Sequence, residues 1–293
     1  MSVGAVRPPH PQMDLREEWN DLLHRRAALR SSLSAYGEVI TRWAEATPDV
    51  APLALDAASC KATWERQRPL IADAAPALTV DDVEPWLEIG VDFLATVGES
   101  PEALQKFAER WDEGRIAPSD LYPRKGRIGA ESIADDVGLR SAAVELLALV
   151  TLRPLLDAYF AAARAHLTDG SWTLGICPYC GAPPGFSDIV EDGGRRLSCH
   201  LCAGTWRSSR MRCPFCGTEE SRDLVRLELG EREAGYFVAG CRACSAYIKE
   251  LDRRMRWNGG PALIEDWGSP HFDVAAQRER FWRPGGSLVQ LAR

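Results

Sequence analysis

Eight of the nine cysteines of this chain fall in four Cys-x-x-Cys pairs within 68 residues: Cys177 and Cys180, Cys199 and Cys202, Cys213 and Cys216, Cys241 and Cys244. Two thiolates three residues apart grip one metal ion from a tight turn, and two such turns supply the four sulfurs of a tetrahedral site. The count therefore predicts two four-cysteine centres and two metal ions per chain. Sulfur-only tetrahedral sites take zinc or iron, and spacing does not choose between them. Zinc confines the centres to structure and binding, whereas iron adds one-electron chemistry. In the structural role the metal replaces a core that small hairpins cannot build, because a closed four-ligand cage contributes folding energy outright.

The first and third knuckles read Cys177-Pro178-Tyr179-Cys180-Gly181 and Cys213-Pro214-Phe215-Cys216-Gly217. Proline fixes φ near −65° and presets the turn. The glycine accepts positive φ and lets backbone N–H groups turn toward the sulfurs, spreading the thiolate charge. The aromatic residue shields the site from water. The second and fourth knuckles, through Ala203 and Ser245, have neither proline nor glycine, so they are expected to be borne on strands with a looser sulfur environment. Gaps of 18 residues between the first and second knuckles, 24 between the third and fourth, and 10 between the second and third favour sequential pairing. That gives two tandem zinc-ribbon or rubredoxin-like units, Cys177, Cys180, Cys199 and Cys202 followed by Cys213, Cys216, Cys241 and Cys244. A nested pairing, first with fourth and second with third, is the alternative.

Other reactive side chains carry less. Cys60 is unpaired and reads as a small buried side chain. His200 sits between two cysteines, but eight sulfurs already fill two sites, so it reads as a neighbour of the metal or a solvent-facing residue. Arg195, Arg196, Arg207, Arg210 and Arg212 form a run without an acid between Asp192 and Glu219. Such a run is ordinarily a solvated face; beside the second knuckle it is also placed to meet an acidic partner. No phosphate-binding glycine loop, Ser/His/Asp set or dinucleotide fingerprint occurs, so catalysis is not indicated.

The elements that must position the cysteines change character along the chain. Residues 1–170 read as an α-helical domain. Leu15, Trp19, Leu22, Leu29 and Leu33 recur at helical steps, as do Leu139, Ala143, Leu146, Leu147 and Val150. Pro154 is expected to end or kink the second of these helices. Asp81 or Asp82 and Ser100 read as N-caps, Pro101 as a first-turn residue, and Gly98 and Gly114 as helix ends. Residues 171–257 hold the two ribbons, with strands in RRLSCHL, LVRLEL and GYFVAG. Residues 258–293 read as a linker, a helix through VAAQRERFW and a loose end. The fold class is α+β.

Charge is unevenly spread. Residues 1–171 carry 18 Lys/Arg against 27 Asp/Glu, residues 172–257 carry 13 against 11, and the whole chain has a net charge of −7. Two divalent ions on eight thiolates bring the cysteine region to about −2, which argues against wrapping nucleic acid. No apolar run reaches the roughly 18 residues of a membrane span. The amino-terminal MSVGAVRPPHPQ lacks the apolar region of a secretory signal, so the thiols are expected in a reducing cytoplasm.

The cysteine region resembles the formate dehydrogenase accessory protein family, FdhE. The resemblance lies in CPYCGAPP, RRLSCHLCAGTWRSSRMRCPFCG and GCRACSAYIKELDRR, with Trp206 after the second knuckle and Tyr247, Ile248 and Lys249 after the fourth. Weaker echoes occur in HRRAALRSSLSAYGEVITRW and LIEDWGSPHFD. It implies a cytoplasmic assembly factor rather than an enzyme. The implied partner is the catalytic (large) subunit of a molybdenum- or tungsten-dependent respiratory formate dehydrogenase, which is loaded with molybdopterin and an iron–sulfur cluster before export. The family's cysteine centres are taken to be rubredoxin-type iron sites. The alternatives from other classes are a nucleic-acid-binding zinc ribbon and a rubredoxin-like electron-transfer protein.

Overall fold

The computed structural model describes residues 14–124, 127–128 and 130–291. Seven helices come first: α1 (Leu15–Arg25), α2 (Ser34–Glu45), α3 (Ala57–Glu65), α4 (Val80–Thr96), α5 (Pro101–Asp112), α6 (Ala130–Val137) and α7 (Ser141–Phe160). Two short strands, β1 (Pro123–Arg124) and β2 (Arg127–Ile128), pair between α5 and α6. The fold is α+β, as the sequence implies.

Local chemistry sets the helix boundaries. Ser100 caps α5, with Pro101 at its first position. The cap of α4 is Thr79 rather than either aspartate, and Asp82 is the reciprocal partner in a capping box. The apolar stripe from Leu15 to Leu33 is not one helix: α1 stops at Arg25, and 3₁₀ turns over 27–29 and 31–33 carry the chain to α2. A 3₁₀ turn keeps neighbours at i and i+3, so the stripe continues through them. Pro154 does not end α7, which runs unbroken to Phe160. A proline there removes the N–H that would bond the Val150 carbonyl four residues back. Trp43 Nε1 donates to that carbonyl instead, at 2.9 Å, so the buried acceptor is satisfied.

The second half is a six-stranded sheet made of β3 (Phe186–Ile189), β4 (Arg195–Ser198), β5 (Thr205–Ser208), β6 (Leu224–Leu227), β7 (Tyr236–Cys241) and β8 (Tyr247–Asp252). Its order is β5-β4-β3-β8-β7-β6. The two ribbons are therefore not beads on a string. Each is a three-stranded antiparallel unit, and they join where β3 of the first pairs in parallel with β8 of the second. Both units run in the same strand order, so the sheet is a side-by-side repeat.

The carboxy-terminal segment, α8 (Ala262–Trp267), α9 (Pro270–Arg278) and α10 (Leu288–Leu291), lies between the helical body and the sheet and is not loose. Trp267 enters the helical core, its ring stacked 4.2 Å from that of Tyr36 and 5.6 Å from that of Trp43. Arg25 of α1 and Tyr236 of β7 both bond the buried Glu265 carboxylate, at 2.9 and 2.5 Å.

On the sheet side a buried ionic cluster does the joining. Lys249 Nζ of β8 lies 2.9 Å from Asp266 Oδ1 and 2.7 Å from Asp273 Oδ2. Arg283 reaches the same two carboxylates at 2.8 and 3.0 Å, and the Tyr247 hydroxyl donates to Asp273 at 2.7 Å. Two cations face two anions with extra hydrogen bonds, the condition under which burying charge is tolerated. Burial disfavours the Asp266 carboxylate, but Arg283 and Lys249 outweigh it and hold its pKa well below the usual range.

Two predictions follow from these contacts. Trp267→Ala should cost about 3–5 kcal/mol through the cavity left in the helical core; urea unfolding of the two proteins measures it, and a loss below about 1 kcal/mol would remove Trp267 as the clamp. Glu233 gives a pH signature. Burial alone would raise its pKa, but the hydrogen bond from His271 and the Arg26 guanidinium hold it down at about 2, against an ordinary 4.5. A depressed carboxyl stabilises the fold fully above its unfolded pKa and loses that contribution as pH falls through its folded one. The stability gap between wild type and Glu233→Gln should thus narrow as pH falls below about 5 and close by about pH 2.

Candidate metal centres

The eight sulfurs gather in two sets of four, Cys177, Cys180, Cys199 and Cys202, then Cys213, Cys216, Cys241 and Cys244, each within 4.8 Å of one another. This is the sequential arrangement; the nested one does not occur. In the first set Cys177 Sγ lies 3.5 Å from Cys202 Sγ, and Cys180 Sγ lies 3.5 Å from Cys199 Sγ. In the second, Cys213 is 3.8 Å from Cys244 and Cys216 is 3.7 Å from Cys241. A disulfide holds its sulfurs about 2.05 Å apart, so these are not disulfides. A tetrahedron with metal–sulfur bonds of about 2.3 Å has edges of about 3.8 Å, so both sets have the size of a four-sulfur cage around one ion.

All four knuckles close alike. The first cysteine N–H of each donates to the carbonyl five residues on: Cys177 to Ala182, Cys199 to Gly204, Cys213 to Thr218 and Cys241 to Ala246, at 2.8–2.9 Å. The residue after the second cysteine has positive φ every time: Gly181 at 74°, Ala203 at 56°, Gly217 at 79° and Ser245 at 57°. The second and fourth knuckles are therefore not looser; Ala203 and Ser245 are held in the left-handed region without glycine. Turn closure and metal-sized spacing at both ends keep them there.

The two sets differ in their surroundings. The first is buried on every side, with its cysteines packed into the helical core. Trp64 Nε1 and Leu70 N donate to the Pro178 carbonyl at 3.0 Å, and Ile71 N donates to that of Tyr179 at 2.8 Å. Arg164 donates to the Cys202 carbonyl at 2.7 Å, and Arg153 to that of His200. The helical body thus caps both turns of this set. In the second set Cys216 is exposed and Cys244 half-buried, and Trp282 of the tail donates to the Cys244 carbonyl.

Burial pushes the Cys177 and Cys180 thiols well up. Burial acts the same way on Cys199, but hydrogen bonds from its three sulfur neighbours outweigh it and draw that thiol down. In the second set burial raises Cys213 and Cys244, while Cys216, despite some burial, is drawn down by the Thr218 N–H and its sulfur neighbours. Four crowded thiolates cannot all be buried ionised without a cation, so the donor set fits a thiophilic ion whose binding displaces protons.

The remaining sequence candidates fall outside the sulfur sets. Cys60 is buried in the helical core, where burial raises its thiol. His200 is buried and bonds Asp266 Oδ2 through Nε2 at 3.0 Å. A carboxylate only accepts, so Nε2 carries the hydrogen. Gly185 makes room for that ring: a Cβ there would stand 2.2 Å from it. His200 thus ties the first metal turn to the ionic cluster. Sequence reasoning gave no role to Asp266, Asp273 or Arg283; the available signal was charge in IKELD, a segment otherwise suited to a strand.

No family model matches the chain. Among curated relatives, a protein FdhE homolog from Aquifex aeolicus (strain VF5) is 30% identical over 215 residues, 70% of this chain and 71% of the relative. The chain belongs to the FdhE family. A further FdhE homolog, from Pseudomonas putida, is 27% identical over 242 residues, 76% of this chain and 72% of its own length. The crystal structure of the FdhE protein from Pseudomonas aeruginosa superposes with a TM-score of 0.59 at 22% identity, covering 96% of this chain and 97% of that one. The chain shares that fold.

The unequal burial predicts unequal metal release. With excess chelator, one ion per chain should leave from the second set at least tenfold faster than the other, and acidification should speed both losses because protons compete for sulfur. Cys216→Ser should abolish the fast phase alone. A single phase releasing both ions together would contradict the assignment; a metallochromic indicator follows the kinetics.

Proposed function

We propose that this FdhE family member is a cytoplasmic accessory factor that binds the catalytic subunit of a respiratory formate dehydrogenase during its assembly and catalyses no reaction itself. Cys177, Cys180, Cys199 and Cys202 hold one metal ion and Cys213, Cys216, Cys241 and Cys244 a second, each iron or zinc. Residues 1–170 are the helical unit, 171–257 the paired ribbons and 258–293 the tail that binds them. The observation that carries this reading is the pair of sulfur tetrads of cage size in an FdhE chain. A cage closed by four protein ligands has no open position for a substrate, which favours a scaffold over a Lewis-acid catalyst.

The distribution of exposed apolar side chains supports docking through the ribbon half. Of the seven large hydrophobic residues exposed among the described residues, only Val80 belongs to the helical body; Met211, Leu229, Met255, Trp257, Val274 and Trp282 lie on the ribbons and tail. Trp257 is 86% exposed. Exposed aromatic and methionine side chains are characteristic anchors of protein interfaces. Among the described residues no helix is long and apolar enough to cross a membrane.

The test is capture of a formate dehydrogenase catalytic subunit by protein purified without oxygen, with metal content and absorption spectrum recorded. Two equivalents of iron or zinc are expected. Trp257→Ser should weaken capture at least tenfold while metal content and circular dichroism stay unchanged. Absence of capture by the metal-loaded wild type would overturn the reading.

A further inference from the structure

Beside the second sulfur set the sheet opens into a cavity of about 140 Å³, lined by Arg195, Arg210, Arg212, Arg226, Phe215 and Glu250 among others. Four other ribbon arginines are matched to acids: Arg196 and Arg253 to Asp188, Arg207 to Asp192, and Arg254 to Asp252. Of the four arginines around the cavity, Arg195 alone has an acid at ion-pair distance among the described residues, Glu250. Arg210 and Arg212 reach only the backbone carbonyls of Gly193 and Thr173, at 3.3 and 3.4 Å, and Arg226 lies over the Phe237 ring. None of these three has an ion pair among the described residues.

Arg195 is the decisive side chain. It is only 4% exposed. Its Nε donates to Ser187 Oγ at 2.9 Å and lies 3.3 Å from Glu250 Oε2, and its Nη1 donates to the Arg212 carbonyl at 3.4 Å. Its Nη2 is buried and has no partner. Arg195 lines the cavity, and a buried guanidinium N–H without an acceptor is a group that a ligand oxygen can satisfy. The single carboxylate present, Glu250, is already engaged by Ser187 and Arg195.

We propose that this cavity binds one carboxylate group. Four guanidinium groups line the cavity against one carboxylate, Glu250, so its lining suits an anion. The guanidinium fork matches a planar carboxylate. The volume holds about four or five water-sized groups, enough for a carboxylate head and a methylene or two, and Phe215, Leu224 and Val225 supply an apolar wall for that stem. The ligand is an acidic side chain of a docked polypeptide or a free small carboxylate, bound next to Cys213 and Cys241.

Calorimetry on the metal-loaded full chain decides it, with acetate, inorganic phosphate and a capped peptide bearing one central glutamate as probes. Saturable one-to-one binding of acetate or the peptide is expected. It should weaken at least tenfold in both Arg212→Gln and Arg226→Gln, partly exposed positions whose loss leaves the fold intact, and be unchanged in Arg196→Gln. Peptide binding at least tenfold tighter than acetate assigns the ligand to a polypeptide; comparable affinities assign a free carboxylate. Saturation by phosphate alone, no saturation by any probe, or affinity indifferent to Arg212 and Arg226 would overturn the site. The assay needs no dehydrogenase, so its failure leaves the assembly reading standing, and failed capture of the subunit leaves this one standing.

Discussion

The constraint that organises this molecule is the burial of four sulfurs at one point, where the helical body meets the sheet. Cys177, Cys180, Cys199 and Cys202 are packed into the same core as the helices. Sulfurs held this close are stable as a group only around a cation, so the core on which both halves depend has an ion-sized polar centre. The backbone carbonyls of the turns that hold it face the helices, which answer with donors from Trp64, Leu70, Ile71, Arg153 and Arg164. The first centre is thus a joint between two bodies, while the second, with Cys216 in solvent, faces outward.

A second fastening runs through the tail. Trp267 enters the helical core from α8, and the residue before it, Asp266, reaches instead into Lys249, Arg283 and His200. One short helix therefore holds an apolar anchor for the helices and an ionic one for the sheet. His200 completes the loop by linking that ionic cluster to a metal turn. Tail, sheet and first centre are joined by one continuous set of contacts.

How far this was legible in the sequence depends on whether the signal was local. The cysteine sets were, because a knuckle is a five-residue object and loop lengths limit its partners. The strands β4, β6 and β7 were legible in their short apolar runs. Strands β3 and β8 were not: both are buried along their whole length, so alternation is lost, and Lys249, Glu250 and Asp252 inside β8 read as surface residues. Lys249 and Glu250 are acceptable because of partners 17 to 63 positions away, which no periodicity reports. The continuity of α7 through Pro154 was hidden for the same reason, since the group that satisfies Val150 belongs to Trp43. Ala203 and Ser245 concealed two turns identical to the glycine ones.

The parallel seam between β3 and β8 has one more implication. Because both halves run in the same strand order, the outer edges of the sheet are unlike, and each is the counterpart of the other: β6 presents the kind of edge that β3 offers to β8, and β5 the kind that β8 offers to β3. A contact of that sort between molecules is head-to-tail and, unless its rotation closes a ring, grows into an open filament. Arg207 in β5, paired with Asp192, and Arg226 in β6 put charged side chains on the two edges, and each strand is only four residues long. Short borders carrying charged side chains are a common defence against such polymerisation.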